Sequence, residues 1–240
     1  MAVLSDYLVR IAPGIAVGAA FLALLPRRAV ELRIVTYILL FVLARDAMTP
    51  LGMWSVDATT LRLPHDGGLL VALGLLSAGC VALIHLVEPE LRPLVVWRKG
   101  SPIAALAVGA GGALAVAALP FAYHRATTTV ALPAVQPSPL VPLAFMALLG
   151  NLLEEYLFRG LLQGSLEKQV TPARAALLSG VAFGLFHMFL ALTVTSVGAP
   201  LLVFTVYEGV IAGFVRMRHG VLAAALAHGG GIFLIASGKA

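Results

Sequence analysis

Long apolar runs alternate along the chain with short stretches rich in proline, glycine and charge. A membrane-crossing helix needs about 20 mostly apolar residues. Reading for such runs predicts eight spans: Leu8–Leu25, Ile34–Ala47, Gly68–Val87, Ile103–Tyr123, Leu140–Leu162, Ala175–Thr195, Leu201–Val215 and Val221–Ser237. The second and seventh are short. Breaks fall at Pro50-Leu51-Gly52, at Pro64-His65-Asp66-Gly67-Gly68, at Glu88-Pro89-Glu90 and in the polar, proline-rich 124–139. The first run reads as an uncleaved span, because Pro26-Arg27-Arg28 follows it directly and little basic charge precedes it. There is no internal repeat, and the Ala/Gly-rich 103–119 run has the composition of close helix packing. The expected fold class is all-α, a polytopic transmembrane helix bundle of about eight spans in one integral membrane domain.

Composition agrees. Of the 240 residues, 60% are hydrophobic and 11% charged, where a soluble domain carries roughly a quarter charged residues. The net charge of +5 is scattered singly or in pairs between apolar runs, which reads as topogenic charge and not as a nucleic-acid surface. The loops after spans one, three, five and seven hold Arg27, Arg28, Arg33, Arg92, Arg98, Lys99, Lys168, Arg174, Arg216 and Arg218. The opposite side holds Arg10, Arg45, Arg62, Arg125 and Lys239. The first set is expected to be cytoplasmic, with both termini outside. Arginine far outnumbers lysine beside abundant Ala and Gly, which hints at a bacterial source and so at the inner membrane. The single cysteine, Cys80, excludes an intramolecular disulfide and reads as packing.

A charge at mid-membrane costs roughly 2.5–3.5 kcal/mol on insertion scales, so intramembrane polar residues are functional candidates. They are Glu154, Glu155 and Arg159 in the fifth span, His187 in the sixth, Glu208 in the seventh and His228 in the eighth. His85 lies near the end of its span and is expected to reach the interface. Glu155 and Arg159, four apart with the glutamate first, suit a same-face ion pair. Glu154 points about 100° away, toward the face of Asn151 and Phe158, and has no partner in its own helix. That leaves it available as a general base or acid; the plainer reading is that both glutamates belong to an interhelical salt-bridge network. His187 sits roughly 18 Å, and His228 roughly 12 Å, from the cytoplasmic end of their spans. Each alone reads as a helix–helix hydrogen-bonding residue. Three isolated polar groups at overlapping depths are expected to meet, since burying each unpartnered is unfavourable. Gly229-Gly230-Gly231 follow His228 and suit either close helix contact or a local opening that frees backbone N–H groups.

Glu154-Glu155-Tyr156-Leu157-Phe158-Arg159 fits the pattern EExxxR, Phe183 to His187 fits FxxxH, and Ala227-His228 begins an HxxxN-like segment. In this order, over about residues 140–237, they resemble the CPBP family of glutamic intramembrane proteases, which includes the Ras-converting CAAX endopeptidase and bacterial Abi-type proteins. Spans one to four, residues 1–139, are then accessory. The resemblance implies that Glu154 activates a water with His187, that Glu155 and Arg159 support it, and that His228 stabilises the oxyanion. The chain departs at the position of the family's asparagine, which is Ile232. Asn151, or the backbone at Gly229 and Gly230, could supply the missing donor. Glu208 is an additional acid that could pair with Arg216 or line the cavity. The function so implied is a metal-independent intramembrane endopeptidase without cofactor, its cavity open to the cytoplasm. Its partners would be the lipid bilayer and a membrane-anchored protein or peptide substrate. The cleaved segment would be a CAAX-like tail, or a bacterial C-terminal sorting tail or peptide precursor as in the myxosortase-like branch. Three rivals share the residues: a zinc peptidase binding its metal through Glu154, His187 and His228, a non-proteolytic immunity or scaffold protein with a weakened site, and a proton-coupled transporter.

Overall fold

The computed structural model describes residues 2–56, 61–64, 66–128, 140–195 and 197–238. Part of the 124–139 break, His65 and Lys239 lie outside the described residues. The chain folds as a polytopic helical bundle. Helix α1 is Ala2–Leu24, α2 Val30–Met48, α3 Gly67–Val87, α4 Pro102–Thr127, α5 Leu140–Glu155, α6 Gln163–Leu166, α7 Pro172–Leu185, α8 Ala199–His219 and α9 Val221–Ser237. A π-helical stretch, Tyr156–Leu162, fuses α5 to α6, and another, Leu190–Val194, follows α7. Among the described residues, seven spans are long and apolar enough to cross a membrane, and α9 adds an apolar helix of 17 residues.

The two spans that look short in the sequence are full length. The α2 span runs Val30–Leu51 over 22 residues, and α8 covers 21. The apolar reading stops short at Arg33 before the second run and at Arg216 after the seventh, whereas both arginines are buried in the bundle. Pro13 and Pro120 lie inside α1 and α4 without ending them. The α2–α3 connection carries a two-residue antiparallel pairing, Ser55–Val56 with Leu61–Arg62, that the apolar pattern does not foreshadow.

Helix α4 packs on α9, α7 on α8, α3 and α9 on α5, and α1 lies along α2. Small residues set the closest approach. A Cβ on Gly209 of α8 would stand 2.6 Å from the carbonyl oxygen of Gly180 of α7, so the backbones touch only because neither residue has a side chain. At the basic end of the bundle, Arg33 grips Glu88 with Nε 2.9 Å from Oε2 and with its terminal nitrogen on Oε1. Its other terminal nitrogen donates to the carbonyls of Leu22 and Leu25, which fastens the ends of α1, α2 and α3 together. Arg216 pairs with Glu167 at the same end. The segment before α4 supplies carbonyls to the start of α9, Val221 N donating to Val96 O at 2.8 Å and Leu222 N to Trp97 O at 3.1 Å.

Candidate active site

Glu155 and Arg159 are fully buried, with Nη1 3.1 Å from Oε1, as the i,i+4 spacing predicts. Arg159 also donates from Nη2 to the Gly209 carbonyl at 3.1 Å, which ties the end of α5 to α8. Phe183 lies beneath the cation: the Arg159 guanidinium carbon stands 4.3 Å from its ring centre. The same ring touches His187, centroid to centroid 4.4 Å, and His228 at 5.5 Å. One aromatic side chain therefore fixes the relative positions of an ion pair and two imidazoles.

Glu154 faces the other way. Its Oε2 lies 4.0 Å from Nε2 of His187 and has no hydrogen-bond partner among the described residues. That separation is too long for a hydrogen bond and short enough for one water to touch both atoms. The histidine is held in one tautomer by its neighbours. Nδ1 is 2.8 Å from the Phe183 carbonyl, which can only accept, and Nε2 is 2.8 Å from Nη1 of Arg45, which can only donate. Nδ1 therefore carries the proton and Nε2 a lone pair. Arg45 also donates from Nε to Asp46 Oδ1 at 2.8 Å and from Nη2 to the Phe186 carbonyl at 3.0 Å. Sequence reasoning missed this residue by counting it as loop charge. The available signal was that Arg45-Asp46 lies within an apolar run, where the rule applied to Glu154 applies equally.

His228 sits beside the other two polar groups in the cavity wall. Its Nδ1 is 2.9 Å from Glu155 Oε1 and its Nε2 is 3.3 Å from Glu208 Oε1. The ring thus lies between two carboxylates, hydrogen-bonded to Glu155 and in charge-pair contact with Glu208, and it lines the same cavity as Glu154 and His187. Glu208 accordingly belongs to this cluster, and Arg216, its other candidate partner, is engaged by Glu167. Glu154, His187 and His228 do not converge as ligands of one ion would, and among the described residues no group of three His, Cys, Asp or Glu side chains forms a metal-sized cluster.

Both candidate substitutes for the absent asparagine are constrained by their own helices. Asn151 turns its amide back onto the Ala147 carbonyl, 2.7 Å away, one turn earlier in its own helix. Helix α9 continues unbroken through its glycines, so their N–H groups are not released by an opening of the helix. Gly229 is pressed against the backbone of Ala147, and a Cβ on Gly230 would meet that of Ala113. The triplet serves close packing.

A cavity of about 890 Å³ brings the polar groups together: Glu154, His187, Glu208, His228 and Arg45 line it, as does Ile232. The rest of the wall is mostly apolar. Trp54, Val56 and Leu63 from the α2–α3 connection, Val197 before α8 and Pro200 in its first turn also line it. Among the described residues, none of the lining comes from the loops that carry the basic clusters. The expectation of a cavity facing the basic, cytoplasmic side is thus reversed: cavity and basic loops occupy opposite ends of the bundle.

No similar protein was found among curated sequences or solved structures. Residues 136–232, the segment that carries Glu154, Glu155, Arg159, His187, Glu208 and His228, match the family described as Rce1-like, type II CAAX prenyl endopeptidase Rce1-like, which bears out the resemblance to the CPBP family.

Proposed function

We propose that the chain is a glutamic-type intramembrane endopeptidase in which Glu154 is the general base. The family match supports an endopeptidase of the CAAX type working within the membrane. The observation that carries the mechanism is the 4.0 Å gap between Glu154 Oε2, free of hydrogen bonds, and the lone pair on His187 Nε2, at the wall of an apolar cavity. A water in that gap gives one proton to Glu154 while its oxygen attacks the scissile carbonyl carbon. The C–N bond then breaks, and the carboxyl of Glu154 passes its proton to the departing amine. Glu155 is held by Arg159 and His228, so it orders the site and is not a second base.

The apolar wall selects an apolar stretch beside the scissile bond, as a membrane-anchored protein or peptide would present, whether a CAAX-like tail or a C-terminal sorting tail. With the basic loops cytoplasmic, that stretch reaches the cavity from the opposite face of the membrane.

The test is cleavage by protein purified into lipid nanodiscs of reporters ending in a single apolar tail, with and without chelator. Glu154→Gln should lower kcat by about 10²–10⁴-fold, the usual contribution of a general base. Full activity in that variant sinks the mechanism, and loss of wild-type activity to the chelator sinks its metal independence.

A further inference from the structure

We infer that Arg45, from α2 and outside the family-matched segment, is the oxyanion-stabilising residue of this site, in place of the donor lost at Ile232. The inference rests on the peptidase reading above. Arg45 is 7% exposed, lines the cavity, and stands 2.8 Å from the very nitrogen of His187 that faces Glu154. A guanidinium has five N–H donors in a planar fork. Nε–H is held by Asp46, one hydrogen of Nη1 by His187 and one of Nη2 by Phe186 O. One hydrogen on each terminal nitrogen is left over, so the fork is anchored at three points and still has donors to offer.

Among the other donors, His228 gives Nδ1 to Glu155 and keeps Nε2 3.3 Å from Glu208 Oε1 without a hydrogen bond to it, Asn151 spends one amide hydrogen on Ala147, Ile232 has none, and α9 is a closed helix. Water entering the gap between Glu154 and His187 competes for Nε2 of His187. Arg45 Nη1 is then released toward the carbonyl oxygen under attack. As the C=O bond opens, negative charge develops on that oxygen beside a cation fixed by Asp46. This is the condition under which a preorganised donor accelerates the step and leaves substrate binding little changed.

The experiment compares Arg45→Gln and Arg45→Lys in nanodiscs, measuring kcat, KM and melting temperature with the apolar-tailed reporters. Lysine keeps a charge beside Asp46 and so protects the fold, but it cannot fork. The expected result is a kcat about 10²–10³-fold lower for Arg45→Gln, the size of one lost oxyanion donor, with KM within about threefold of wild type. Arg45→Lys should recover roughly a tenth of the lost factor at a near-wild-type melting temperature. A kcat within about threefold of wild type in Arg45→Gln, or a loss confined to KM, overturns the inference. Should Arg45→Gln fail to fold, the lysine variant decides: lowered kcat at unchanged KM upholds it and unchanged kcat overturns it. Glu154→Gln in the same assay separates the two levels. If it is as active as wild type, the peptidase reading has failed, whereas an inactive Glu154→Gln beside active Arg45 variants removes Arg45 alone.

Discussion

Oε1 of Glu155 is shared: Arg159 Nη1 stands 3.1 Å from it and His228 Nδ1 2.9 Å from it, all three groups buried. The carboxylate thereby joins α5, the π-helical stretch after it, and α9. Removing the cation leaves a buried negative charge, which typically costs 3–5 kcal/mol. Arg159→Met should therefore lower stability by about that amount. Arg159→Met combined with Glu155→Gln should recover much of the loss, because no uncompensated charge remains. Thermal unfolding in nanodiscs measures both, and equal stability of the single and double variants would contradict the pairing.

The charge asymmetry sharpens once the buried arginines are set aside. Arg33 and Arg216 are paired inside the bundle and Arg45 belongs to the site. The remaining basic residues still cluster at the end opposite the cavity, around Arg27, Arg92, Arg98 and Lys168. In a Cys80→Ala background, Ser55→Cys at the cavity end should react with a membrane-impermeant maleimide on intact cells. Ser101→Cys, equally exposed at the other end, should react only after permeabilisation. The reverse pattern would place the cavity in the cytoplasm.

Much of the site is local enough to read from spacing. Glu155 and Arg159 meet because four residues return a helix to the same face, and Glu154 is left unpaired by the same geometry. The partner of His228 could not be read that way. It depends on the rotation of α9 against α5, which is set where Gly229 meets Ala147. Arg45 was hidden for a different reason: a basic residue near a helix end looks topogenic until the fold shows the helix continuing past it. The side on which the cavity lies depends on how neighbouring helices diverge, which no single helix encodes.

Glu88, in the loop after α3, gives a pH signature away from the site. Burial alone would raise its carboxyl, but hydrogen bonds from Arg33 and Tyr37 outweigh burial and hold it below the usual glutamate range. A depressed folded-state value means that the stabilisation is complete above the ordinary value of about 4.3 and is lost as the pH falls through the lower folded one. The melting temperature should therefore hold down to about pH 5 and fall below it. Glu88→Gln should melt lower at neutral pH, because Arg33 loses its counter-charge, and should show a shallower acid decline. An identical acid decline in both proteins would show that Glu88 is not the group responsible.

Ile232 and Arg45 line the same cavity, and the two positions make a coupled prediction. If the guanidinium already serves the oxyanion, restoring a donor with Ile232→Asn adds little, and the buried amide is nearly idle. Its kcat should stay within about threefold of wild type, well short of the 10²–10³-fold worth of a donor that the site lacks. In the Arg45→Gln background the vacancy is real, and the same Ile232→Asn should raise kcat roughly tenfold, a neutral amide being a weaker anion partner than a cation. The interaction term of this double-mutant cycle is the decisive quantity. Additive effects would mean that the two side chains serve different atoms of the substrate. A gain from Ile232→Asn with arginine still present would mean that the wild-type site works one donor short.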